Sequence, residues 1–289
     1  MRKEFLKLGI RTDMAVEAHE LSRGEAKEIE GVKLTSLAHG NITRTVVDII
    51  DDRGARALNK MKGRYVTIDA PDLKNSTDDY ESVCNMLAEE LRAMCNNSKN
   101  TLVVGLGNRA VTPDALGSEV VDKLIITSHI KKYMPDVFDE NYSNVSAIAP
   151  GVMGTTGIET ADIVKEVADT VKPDVIIAID ALAGADINRV TTSIQVADTG
   201  IAPGSGVGNH RNGLNEESLG VKVIAVGVPT VIAAELLGGT DIAEEFKSLM
   251  VTTNDIDLVI KRMSKTVANG INMALHKNLS LRDVEELVE

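Results

Sequence analysis

The chain has 289 residues and 43% hydrophobic content, which is enough for a sizeable core, and with no Trp, three Phe and four Tyr that core must be aliphatic. A formal net charge of −12 argues against a nucleic-acid groove, because an acidic surface repels phosphates. Cys84 and Cys95 offer neither a disulfide framework nor a zinc-like pair, and no stretch has the character of a signal peptide or a membrane span, so a cytoplasmic location is expected.

Near the start, "RTDMAVEAHE" (11–20) sets an acid before a short apolar run, where Asp13 is suited to cap a helix through "MAVEAHEL". Strands are predicted at 43–50, 64–70, 101–107, 145–151, 173–180 and 221–227, each a β-branched run bounded by turn residues. Helical periodicity covers 78–97, 114–130, 158–171 and 254–276; in the first of these Tyr80, Val83, Leu87, Leu91 and Met94 share a face. From about residue 100 onward strands and helices alternate. The expected fold is therefore α/β, three-layer α/β/α with a mostly parallel central sheet, plus a small N-terminal strand-rich addition in which 26–72 form a β-rich subregion. The glycine-rich stretch 197–215 is too long for a plain connection and is expected to be functional or mobile.

Ligands of open parallel sheets bind beyond the carboxyl ends of the strands, and two acids fall there. Asp114 follows "TLVVGLG", and Asp180 closes "DVIIAID". Each has a plain structural reading: Thr112 as cap and Pro113 at the first helical position make Asp114 a first-turn acid, and Asp180 suits the cap of "ALAGADINRV". Placed at adjacent strand ends, the two would instead share one cleft. Close carboxylates do not both ionise easily, so such a pair can divide the work of base and acid in a hydrolysis.

Other motifs carry less. "GLGNRA" satisfies the dinucleotide fingerprint through Gly105, Gly107 and Ala110, but Pro113 interrupts the helix that the motif should open and no acid ends a following strand. The turn Gly151, Gly154, Thr155, Thr156, Gly157 offers backbone amides to an anion or a substrate carbonyl, as do Gly107 with Asn108 and Gly204 to Gly206 around Ser205. The five histidines lack metal-ligand spacing, and only His210 lies in a loop that reaches toward a cleft. A metal-dependent hydrolase using Asp114, Asp180 and His210, a maturation-type protease, a nicotinamide-dependent oxidoreductase and a noncatalytic assembly protein are the alternatives to an aspartate-pair hydrolase.

In order along the chain, "RTDMAVEA", "KGRYVTIDAP", "VVGLGNRAVTPDALG", "VSAIAPGVMGTTGIET", "PDVIIAIDALA", "IQVADTGIAPGSGVGN", "VIAVGVPTVI" and "SLMVTTNDIDLVIKRMSKTVANGINMALH" resemble the germination protease family of spore-forming bacteria. A more distant similarity, in "GLGN", Asp114 and Asp180–Ala181, is to hydrogenase-maturation endopeptidases. The resemblance implies an endopeptidase that degrades small acid-soluble spore proteins during germination, with Asp114 and Asp180 as catalytic aspartates and no cofactor or metal. It further implies a zymogen cleaving itself between Asp13 and Met14, so that 1–13 is a pro-segment and 14–289 a single protease domain. A homotetramer in the forespore and spore core is implied as well. The chain departs from longer members in having only "AAELLGGTDIAEEFK" between the "VPT" block and the terminal helix.

Overall fold

The computed structural model describes residues 12–23, 28–73, 79–139, 141–202, 213–238 and 249–288. The first half comprises α1 (Ala15–Arg23), β1 (Val32–His39), β2 (Ile42–Ile49), α2 (Asp52–Leu58), β3 (Gly63–Asp69), α3 (Tyr80–Cys95), β4 (Asn100–Gly105), a 3-10 turn (Thr112–Asp114), α4 (Leu116–Val121) and α5 (Ser128–Tyr133). There follow β5 (Asn144–Ile148), α6 (Met153–Thr156), α7 (Thr160–Val171), β6 (Val175–Gly184), β7 (Ser193–Ala197), α8 (Glu216–Leu219), β8 (Lys222–Ala233), α9 (Glu235–Gly238), β9 (Met250–Val251), α10 (Ile256–Leu275) and α11 (Leu281–Val288).

Strand alternation sorts the aliphatic side chains into two layers. Val103, Ile177, Ile179 and Val226 pack on one face with α3, α4 and α10. On the other face Leu102, Val104, Ile176 and Ala178 meet α7, while Val47, Leu182 and Ala225 meet Met14, Val16 and Leu58 of the α1 and α2 region. The result is the expected α/β fold with helices on both faces of one sheet. On the first face α10 and α3 approach closely: a Cβ on Gly270 would lie 2.6 Å from the Leu87 side chain.

Among the described residues the sheet has nine strands, in the order β1-β2-β3-β7-β8-β6-β4-β5, with β9 on the far end of β8. The run β8-β6-β4-β5 is parallel, as strands linked by helical crossovers must be. β1, β2, β3 and β7 are antiparallel and continue the same sheet through the β7–β8 pair. The strand-rich N-terminal part is thus not a separate layer.

Three differences from the sequence reading bear on the site. Asp180 does not cap a helix, because β6 runs on to Gly184 and β8 on to Ala233; the two stay paired past a bulge between Leu182 and Ala183. Pro229, which has no N–H to donate, sits opposite Leu182 at that bulge, where a ladder tolerates it. The helix expected over 114–130 is instead a 3-10 turn, α4 and α5. Between them Asn272 of α10 accepts from the Ile125 N–H (2.9 Å) and donates to the Lys123 carbonyl (3.0 Å), and the Thr127 hydroxyl accepts from the Val145 N–H (2.9 Å). Tertiary partners there replace the intrahelical ones. Finally, β7 and β1 fall outside the predicted strands.

Cys84 and Cys95 are both buried and unpaired to each other. Burial pushes the Cys84 thiol up to about 12 and the Cys95 thiol up to about 11, so both are inert.

Candidate active site

The site originates in an inequality of strand length. β4 makes its last pair with β6 at Gly105–Ile179, whereas β6 continues for five residues against β8 alone. Asp180 is the first residue past that last pair. Beyond Gly105 the chain makes one more bond to β6, from the Leu106 N–H to the Ile179 carbonyl (2.8 Å), and then turns away at Gly107. Gly107 has φ +98°, and a Cβ there would lie 2.0 Å from the Asp114 carbonyl oxygen.

The chain comes back through the 3-10 turn and settles α4 directly on the strand ends. A Cβ on Gly117 would be 2.4 Å from the Leu106 backbone and 2.7 Å from the Ile179 carbonyl. This close seating brings Asp114 to the mouth of β6. Asp114 and Asp180 line one cleft of about 420 Å³, together with Gly107, Pro113, Gly151 and Thr230.

Asp114 is in the first turn of its helix, but its carboxylate reaches six residues back and accepts from the Asn108 N–H at 2.8 Å. The N-cap of that turn is Val111, not Thr112. The same bond occupies an amide that the dinucleotide fingerprint would have turned toward a phosphate. Asp180, almost fully buried, accepts from the N–H of Ala181 at 3.0 Å.

A third acid enters this cleft: Asp13 also lines it. Its N–H donates to the Ala183 carbonyl (2.9 Å), and its carboxylate accepts from the Ala183 N–H (2.9 Å). The segment 12–17 therefore lies along the overhanging end of β6. Lys60 donates to the Thr12 carbonyl at 2.7 Å, and Gln195 of β7 accepts from the Ala15 N–H at 2.7 Å while donating to the Asp13 carbonyl at 3.2 Å. Met14 and Ala15 are fully buried. Glu17 accepts from the N–H groups of Ala185 (2.7 Å) and Asp186 (3.1 Å) and from the Thr12 hydroxyl.

Burial pushes the Glu17 carboxyl up, against the pull of its Thr12, Ala185 and Asp186 donors and of Arg189. Burial likewise pushes the Lys60 ammonium down, and the charges of Asp13 and Glu17 oppose that shift.

The sequence-predicted residues divide clearly. Asp114, Asp180, Asp13, Gly107 and Gly151 meet in the cleft. Thr155, Thr156 and Gly157 do not line it; their N–H groups are donated to the carbonyls of Val152 and Met153. Gly154 is outside the cleft lining as well, and Asn108 spends its N–H on Asp114. Gly204, Ser205, Gly206 and His210 lie outside the described residues. Among the described residues no group of three or more His, Cys, Asp or Glu gathers in a way that could hold a metal ion.

Lys60, Glu17 and Gln195 are not foreseen by the sequence. For Gln195 a signal existed, an amide inside the apolar run of "SIQVA" with nothing local to bond; for Lys60 there was none.

The Peptidase_A25 family model, described as germination protease, matches residues 10–247. A germination protease of Clostridium perfringens is 42% identical over 96% of this chain and 99% of its own length. One from Caldanaerobacter subterraneus is 41% identical over 97% and 98%. The germination protease of Bacillus subtilis is 48% identical over 78% of this chain and 64% of its own. Among solved structures, the [NiFe] hydrogenase maturation protease HycI of Thermococcus kodakarensis aligns with 63% of the chain at 17% identity and a TM-score of 0.37. The family match and the near full-length relatives agree along almost the whole sequence: the chain belongs to the germination protease family and is by that membership a peptidase acting in germination.

Proposed function

We propose that the protein is an endopeptidase zymogen that cleaves itself between Asp13 and Met14 and then degrades small acid-soluble spore proteins during germination, using Asp114 and Asp180 to activate water. Residues 1–13 are then the pro-segment and 14–289 the mature protease, acting in the spore core as a homotetramer. The observation that carries this reading is the shared cleft: two aspartates far apart in sequence line one crevice, and Asp13 lines it with them.

In the reaction one aspartate, ionised, takes a proton from water as its oxygen attacks the peptide carbonyl carbon. The other, protonated, gives its proton to the departing amine nitrogen as the C–N bond breaks. The overhang of β6 gives an extended peptide a backbone to pair with, as Asp13 pairs with Ala183. A flexible substrate enters such a groove without first unfolding.

The test is self-processing followed by N-terminal sequencing. Wild-type protein yields a chain beginning Met14-Ala15-Val16. Asp114→Asn and Asp180→Asn each leave the N-terminus intact while the fold, followed by circular dichroism, is kept. Processing at the wild-type rate in either variant overturns the pair; processing lost in both variants and lost equally in wild type on adding chelator favours a metal-dependent hydrolase using Asp114, Asp180 and His210 instead.

A further inference from the structure

We infer that Gln195 is a further catalytic residue, which straddles the scissile peptide and donates a hydrogen bond to the carbonyl oxygen that becomes the oxyanion. The inference rests on the reading that Asp13–Met14 is the bond cut. Gln195 touches both sides of that bond: its Nε2 donates to the Asp13 carbonyl at 3.2 Å, and its Oε1 accepts from the Ala15 N–H at 2.7 Å. The orientation of the amide is forced, because a backbone carbonyl can only accept and a backbone N–H can only donate. The donor end of Gln195 therefore meets the carbonyl.

Sheet register shows why this side chain and no neighbour does so. Gly227 of β8 pairs with Asp180 of β6 on one side and with Gln195 of β7 on the other. Directly paired residues present side chains to the same face, so Asp180, Gly227 and Gln195 form one row across three strands. The middle member has no side chain, and the Leu182 side chain packs onto it: a Cβ on Gly227 would lie 2.5 Å from Leu182. Asp13, Asp180, Gln195 and Gly227 accordingly line a common cavity on this face. Gln195 thus holds the segment that carries the Asp13 carbonyl, and Asp180 lines the same cavity.

The chemistry balances without any added reactant. Water attacks the Asp13 carbonyl carbon, its proton passes to the ionised aspartate, and the negative charge that gathers on the carbonyl oxygen is met by the Gln195 N–H₂. The C–N bond to Met14 then breaks, the amine takes a proton from the second aspartic acid, and Asp13 is released with a new α-carboxylate. A donor already aimed at the developing charge costs no reorganisation at the moment of reaction. The Ala15 contact holds the amide in that aim.

Two substitutions separate donation from packing. Gln195→Met keeps the length of the side chain and removes both bonds. Gln195→Glu keeps an acceptor for the Ala15 N–H but has no donor for the carbonyl. In the full chain, the rate of appearance of the fragment beginning at Met14 should fall by about 10²- to 10³-fold in both variants. Hydrogen exchange at the Met14 and Val16 amides should still report a docked segment in Gln195→Glu. With the processed enzyme and a peptide of sequence Thr-Asp-Met-Ala-Val-Glu, the loss in Gln195→Glu should fall on kcat, with KM within a few-fold of wild type.

Processing of Gln195→Met and Gln195→Glu at the wild-type rate with the cut still before Met14 overturns the assignment of Gln195 and leaves the aspartate pair standing. A loss confined to KM, with kcat retained, also overturns it, since Gln195 would then only bind. Wild-type cleavage at any other bond removes the reading beneath the inference, and the inference with it.

Discussion

Asp114 and Asp180 illustrate how a single carboxylate is given its position. Each accepts from a backbone N–H, of Asn108 and Ala181 respectively. For Asp114 that orientation depends on Gly107, whose positive φ folds the loop so that the Asn108 N–H faces the acid. Gly107→Ala is therefore expected to misplace Asp114: an alanine is strained at φ +98°, and its methyl would press on the Asp114 carbonyl. Self-processing should slow by about 10²-fold, the cost of an ångström-scale error in a catalytic group, with the circular dichroism spectrum unchanged. Wild-type kinetics in this variant would show that the Gly107 turn does not aim the acid. The two aspartates were legible in the sequence because Asp114 comes soon after the buried strand β4 and Asp180 ends the apolar run that opens β6. Gln195 was not, because its meaning depends on Gly227 and Asp180, which only strand pairing sets beside it.

At the level of elements, the cleft exists because β6 and β8 outlast β4. The sequence reading ended both strands too early, at the point where "DALAG" and "GVPTV" bring in small residues and a proline that locally resemble turns. Their mutual pairing, with Pro229 at a bulge, overrides those local preferences. The segment 122–127 went the other way: its helical periodicity is defeated by fixed polar partners. Asn272 satisfies one donor and one acceptor of that segment from inside α10. Asn272→Ala would leave the Ile125 N–H and the Lys123 carbonyl short of a partner. A loss of about 1–3 kcal/mol is expected in urea unfolding. An unfolding free energy unchanged from wild type would mean that the segment finds other partners.

For the whole molecule, stability has a pH dependence that the buried histidines set. His276 is fully buried, with its Nε2 on the Ile125 carbonyl (3.1 Å) and its ring tilted against Tyr142. Burial holds its pKa below the ordinary 6.5, and burial followed by the nearby Arg23 does the same for His19. The unfolded chain then takes up a proton near pH 6.5 that the folded chain refuses, so the native state loses stability as pH falls below that value. Glu17 acts with the opposite sign: its raised pKa means that the folded state holds a proton more tightly, which favours the native state as the solution turns acid. The contribution of His276 is isolated by difference. Thermal midpoints of wild type should drop between pH 7.5 and 5.5 by more than those of His276→Gln, and parallel curves would refute the assignment. Among the described residues no helix is long and apolar enough to cross a membrane.

The sequence alone determined the layers, because aliphatic alternation and helical periodicity are local properties that each segment carries with it. It also placed Asp114 after β4 and Asp180 at the end of the apolar run of β6, since that too is a matter of order along the chain. Tertiary structure decided everything that depends on unequal lengths and on register: how far β6 overhangs β4, that Gly227 stands between Asp180 and Gln195, and that the segment around Asp13 lies along the overhang. Those facts are relations between strands distant in sequence, and a side chain acquires them only when hydrogen-bonded pairing fixes which backbone lies beside its own.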